Sequence, residues 1–255
     1  MIFGKKAQEK VRAVEPSDRV SIFDTDYPID KSNWFQVYSA CLGKVMVIQN
    51  ACAEQVVKKR GWNVDFGAGT LSFGNDSYPV QFLGSESSYS NTWMWGWNNI
   101  NGFDEKLLTL AKETKKTGEA WNLEPLTVDT FDLDDTFNGH SLSIVACGIS
   151  KEHYCYYRGP HDNGAVLMAF SGVTDSVFGP VNADDFISTV LDCIQKVSVE
   201  HRIFTESFLM WNGTKYDWKG NDLIAHFPQD VVISFEQAEN LWRIVSLKTV
   251  KQAEG

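Results

Sequence analysis

The chain has no basic excess, no long apolar run and no paired-cysteine motif. Lysine and arginine number 23 against 33 aspartate and glutamate, a net charge of −10 over 255 residues. Nucleic acids and anionic membrane surfaces attract basic partners, so neither is expected here. No stretch approaches the roughly 18 apolar residues that span a bilayer. The five cysteines (Cys41, Cys52, Cys147, Cys155, Cys193) are odd in number, scattered and free of any C-x-x-C spacing. That argues against a disulfide framework and leaves free, mostly buried thiols as the expectation. Residues 1–15 carry Lys5, Lys6, Lys10 and Arg12 with no apolar segment behind them. They do not read as a secretory signal, so a cytoplasmic protein is expected and the Asn-x-Ser/Thr matches at Asn75 and Asn212 are taken as chance.

What is present is an ordinary globular composition, 43% hydrophobic and 22% charged, at a length that buries a sizeable core without staples. Trp34, Tyr38, Cys41, Val45, Ile48, Cys52 and Val56 recur at steps of three and four, the stripe of a helix. With Ser32 as N-cap and Gly61 as stop it would run about 28 residues, or roughly 42 Å. The period then becomes two: Trp62, Val64 and Phe66; Leu71 and Phe73; Tyr78, Val80 and Phe82; then 93–97, separated by Gly/Asn turns, which is an antiparallel meander. A second helix is expected over 101–117, closed by Gly118. The stretch 142–149 is apolar but too short to assign. Strands are expected at 153–158 and 165–170, around a turn over 159–164. A third long helix should run from Asn182 to Gly213, followed by strands at 223–227, 231–235 and 241–247.

The fold class is therefore α+β: long helices packed on antiparallel meander sheets. The order helix, glycine, meander occurs twice, suggesting two similar halves. The expected division is 1–31, a short helix and irregular chain; 32–135, a helix plus meander; and 136–255, a hairpin, a long helix and further strands. All three pack as one unit.

The most distinctive segment is Trp93-Met94-Trp95-Gly96-Trp97-Asn98. On a strand its three indoles share one face, and each buries about 150–250 Å². Such a wall is either core beneath a helix or the side of a ligand pocket, with Asn98 adding directional contacts. Together with the preceding Leu83-Gly84-Ser85 and the later Tyr156-Tyr157-Arg158-Gly159-Pro160, the pattern Trp93-x-Trp95-Gly96-Trp97-x-Asn99 resembles a bacterial domain-of-unknown-function family, family 6882. The resemblance covers roughly residues 30 to 170. It implies a fold and no activity, cofactor or catalytic residue.

Several segments approach known chemistry without reaching it. Gly139-His140-Ser141-Leu142-Ser143 lacks the last glycine of a nucleophile elbow and follows a polar stretch where a buried strand is needed; an asparagine or serine helix cap is the plainer explanation. Counting a calcium loop from Asp134 puts Val145 where a glutamate is required. Gly67-Ala68-Gly69 sits in a hairpin and lacks a third glycine. His153, Cys155 and His161 could supply zinc ligands or a thiol–imidazole pair, though at no common spacing, and Arg158 among aromatic rings suits a carboxylate or phosphate. His201 reads as a core histidine, and His226 has no partner visible in the sequence. The leading expectation is a non-catalytic protein that binds a partner protein or small molecule through Trp93, Trp95, Trp97, Asn98, Tyr157 and Arg158, with no cofactor and no metal. The competing one is a hydrolase or zinc enzyme around His153, Cys155, Arg158, His161 and Asp162. A homodimer is a third.

Overall fold

The computed structural model describes residues 19–250; the short helix expected near the start of the chain lies outside them. The described residues form an α+β fold of helices on two antiparallel sheets. None of these helices is long and apolar enough to cross a membrane.

Helix α1 (Trp34–Cys52) is the central element. Asn33, rather than Ser32, caps it by accepting from the Gln36 amide at 3.2 Å. Val37, Cys41, Leu42, Val45 and Ile48 are all buried, because α1 is packed on more than one side. The helix also ends sooner than the apolar period suggests. It loosens into a π turn over Ala53–Val57, and Lys58 and Lys59 in left-handed conformation stop it. The expected stop at Gly61 is thus superseded by two lysines.

The first sheet follows: β1 (Trp62–Asp65), β2 (Thr70–Phe73), β3 (Asp76–Ser87), β4 (Thr92–Trp95) and, after helix α2 (Thr109–Trp121), β5 (Thr130–Asp132). Helix α2 begins later than expected, and Gly118 lies inside it against Leu126, with Asn122 in the left-handed position that ends it. The ambiguous 142–149 stretch is helix α3 (Gly139–Ile149), opened by an Asn138–Ser141 capping box. Strands β6 (Cys155–His161) and β7 (Gly164–Phe170) form a hairpin, and β7 pairs with β3 from Val80 to Ser87. The sheet begun before residue 135 is thereby completed by chain beyond it.

The expected third helix is two: α4 (Ala183–Lys196), capped by Asn182, and α5 (His201–Asn212), capped by Glu200. One continuous helix would carry Val197 on its apolar face, but Val197 is exposed while Val199 turns inward. Helix α5 lies against α1 so closely that a side chain on Gly43 would strike Phe208. The chain closes with β8 (Tyr216–Lys219), β9 (Asp222–Ala225), β10 (Asp230–Ala238) and β11 (Leu241–Val250), in the spatial order β11-β10-β9-β8. Strand β8 was not foreseen; it is four residues long and precedes a Gly220-Asn221 turn.

Strand β11 is a sheet edge, and α5 covers part of it. The Trp242 amide donates to Glu200 at 3.2 Å and the Ile244 amide donates to His201 Nδ1 at 3.0 Å. Such cover blunts an edge against foreign strands. Burial, and secondarily Arg243, pushes His201 down to about 4. The unfolded chain therefore binds a proton near pH 6.5 that the folded chain refuses. Stability from neutral His201 is complete above about 6.5 and is lost as pH falls towards 4, on the order of 2–3 kcal/mol. Burial raises Glu200, which acts in the opposite direction, so the test follows the imidazole itself. Proton NMR should find His201 neutral at pH 5; a ring already protonated at pH 6 would contradict this bonding.

Candidate functional site

The tryptophan segment is mostly interior. Trp93 and Trp95 lie on β4 at 0% exposure, their rings edge to face with centroids 5.1 Å apart. The chain then turns at Gly96–Asn98, so Trp97 leaves the strand and stacks on Trp95 at 4.5 Å. The cover comes from the α2 region. Trp95 Nε1 donates to the Pro125 carbonyl at 3.0 Å, Trp97 Nε1 donates to Asp129 at 2.5 Å, and Lys115 sits over the Trp97 ring. Only Trp97, half-buried, and Asn98, exposed, remain within a ligand's reach. A pocket wall of three indoles is not what this segment offers in the folded chain.

Tyr157 and Arg158 point to opposite faces of β6. Tyr157 packs on Trp62 and Phe73. Arg158 Nε donates to Glu86 Oε2 at 2.7 Å, and the other Glu86 oxygen accepts from the Gly139 amide at 2.6 Å. One buried carboxylate thus ties β3 to β6 and to the start of α3. The residues of the competing enzyme reading do not converge. Cys155 and His161 stand at opposite ends of β6, roughly 20 Å apart at 3.3 Å per residue. Cys155 is buried, with its thiol pushed far up by a hydrogen bond with Cys52 and by burial. His161 is exposed at the turn, and His153 precedes the strand and stacks on Phe178. Among the described residues no group of three or more His, Cys, Asp or Glu could hold a metal. Ser141 Oγ serves the α3 cap, donating to the Thr136 carbonyl. His226, without a visible partner in the sequence, sits between Asp217 (2.9 Å) and Asp230 (3.2 Å), and these bonds raise its pKa.

A site missed by sequence reasoning lies between the first described residues, α1, α2 and the end of α3. It is a cleft of about 650 Å³, within the usual size for small-molecule sites. Arg19, Lys31, Lys44, Lys116 and Lys151 line it, with Asp24 the only carboxylate among the described residues that line it. Each cation is placed by local structure. Arg19 lies over the Trp211 ring at 4.2 Å, its Nε donating to the Trp211 carbonyl and Nη1 to the Phe178 carbonyl. Lys44, on α1, donates to the Gly148 and Ser150 carbonyls where α3 ends, a natural seat for a cation. Lys31 donates to the Phe23 carbonyl. Lys116 and Lys151 are exposed, and neither forms an ion pair among the described residues. Burial lowers Lys44, and His153 at the rim is lowered by burial, then by Lys44 and Arg19. Two lining residues also carry buried donors with no acceptor among the described residues, Arg19 Nη2 and Trp211 Nε1.

A family model described as a family of unknown function (DUF6882) matches residues 36–173, more than half of the chain. The chain belongs to this family. The DUF6882 region contains the tryptophan segment, the Glu86–Arg158 tie and all but the first two residues of the stretch from α1 to β7. The basic cleft lies at its margin: Lys44, Lys116, Lys151 and His153 come from inside the region, and Arg19, Lys31 and Trp211 from the flanking chain. Comparison with curated proteins and with solved structures finds no match.

Proposed function

We propose that this DUF6882 protein is a binding protein rather than a catalyst, and that it holds a small anionic molecule in the basic cleft. One observation carries the reading: in a chain of net charge −10, the described residues around a single cavity include five cations and one carboxylate. An anion that enters this basic cleft is attracted by these cations, and low-dielectric walls strengthen that attraction. The unpartnered groups at the cleft are donors, and an anion is an acceptor. The buried indoles of Trp93 and Trp95 then act as scaffold, and the ligand is met by lysines.

Isothermal titration calorimetry of the full chain with pyrophosphate and with citrate, at low ionic strength, tests this. At least one of them should bind with a dissociation constant below about 1 mM, and Lys116→Glu/Lys151→Glu should weaken it at least about tenfold. Affinity should also fall as salt is added, since both lysines are exposed. Heat-silent titrations with both anions up to about 10 mM would refute the reading.

A further inference from the structure

We infer that the ligand of the basic cleft is a small phosphorylated molecule carrying at least two negative charges, an inference that rests on the anion-binding reading above. The first argument is charge. Five cations and one carboxylate leave a surplus that a single carboxylate ligand would balance only in small part. A phosphate monoester or a diphosphate brings two or more negative charges in the volume of a few atoms.

The second argument is donor type. A guanidinium fork grips carboxylate and phosphate alike in one plane, whereas ammonium groups act as point charges that suit a compact, multiply charged phosphoryl group. Among the described residues of this cleft the one guanidinium is already engaged: Arg19 Nε and Nη1 donate to backbone carbonyls at 2.7 and 2.8 Å, leaving Nη2 without a partner among those residues. The uncommitted charges are the ammonium groups of Lys116 and Lys151. Lys44 adds a third, held in position by two carbonyls. They come from α2, from the chain after α3 and from α1, so they surround a ligand instead of gripping one planar group.

The third argument is shape. The cleft is about 650 Å³ and its lining alternates these cations with Ile22, Phe23 and Trp121. That suits a phosphorylated compound with a modest apolar body. A polynucleotide needs a basic track much longer than one cleft and a chain that does not repel it overall.

The experiment titrates the full chain with pyrophosphate, citrate and a short single-stranded RNA at matched ionic strength. Pyrophosphate is expected to bind at least about tenfold more tightly than citrate. Lys116→Gln and Lys151→Gln should each weaken it about threefold or more with unchanged thermal unfolding, because both side chains are exposed and neither has an ion-pair partner among the described residues. Equal affinities for pyrophosphate and citrate would overturn the phosphate inference while leaving the anion reading intact. No binding of either would remove both. An RNA that binds more tightly than pyrophosphate, and is lost with the same lysines, would overturn the small-molecule ligand.

Discussion

Trp95→Ala is expected to lower the stability of this protein by about 3–5 kcal/mol. The Trp95 ring is fully buried, meets Trp93 edge to face and Trp97 face to face. Truncation would open a cavity the size of an indole between neighbours that are themselves rigid rings, so collapse around it would be poor. It would also deprive the Pro125 carbonyl of the donor that now lies at 3.0 Å. For a chain of this size the loss corresponds to a melting temperature roughly 10 °C lower. Urea unfolding followed by circular dichroism measures it. Trp95→Phe, which keeps a ring, should lose less than Trp95→Ala. Below the unfolding transition, pyrophosphate affinity of the variant should match that of the parent chain, because Trp95 does not line the basic cleft. A Trp95→Ala protein that keeps its stability but loses its ligand would reverse the assignment of scaffold and site.

Replacing Glu86 should have the next largest effect. Its carboxylate is buried and accepts from both the Gly139 amide and Arg158 Nε. Glu86→Ala would leave the first amide of α3 without an acceptor and Arg158 without its counter-charge. Breaking a fully buried pair costs about 3–5 kcal/mol. The Arg158 side chain is 36% exposed, and water will recover part of that, so about 2–3 kcal/mol is expected. Glu86→Gln retains an acceptor for Gly139 and should lose roughly half as much. The local signature is faster amide hydrogen exchange at the start of α3 in Glu86→Ala, with β8 to β11 unchanged. Uniform acceleration across the whole chain, or none, would mean that Glu86 does not hold these elements together.

Much of the fold can be read from periodicity. The change from steps of three and four to steps of two near Trp62 marks the passage from α1 to the first sheet, and Asn182 announces α4 through its cap. Local pattern misleads where tertiary context overrides it. The apolar stripe of α1 continues past Cys52, but the backbone loosens into a π turn. The expected helix from Asn182 to Gly213 looks continuous, yet the chain turns near Val197 so that Val199 can be buried and Glu200 can cap α5. The Trp93, Trp95, Trp97 alternation assumes a strand that in fact ends at Trp95.

The cleft was less legible for a physical reason. Arg19, Lys31, Lys44, Lys116 and Lys151 are far apart in sequence, and each alone reads as a solvated surface charge. One signal was available. Lys44 interrupts the run Cys41-Leu42-Gly43-Lys44-Val45-Met46-Val47, and a cation in an otherwise apolar stretch of helix must be partnered or face a polar space. It does both. Glu86 and Glu206 carry similar information: buried carboxylates that each have a partner from a distant part of the chain, Arg158 for one and Tyr27 for the other, while Arg202 and Trp218 reach Glu206 from nearby in sequence.

The central claim is the location of the ligand, and a crystal structure of the full chain grown or soaked with pyrophosphate tests it most directly. The account predicts tetrahedral density within hydrogen-bonding distance of Lys44, Lys116 and Lys151. Pyrophosphate bound instead beside Arg158 or against Trp97 and Asn98, with the basic cleft empty, would contradict it.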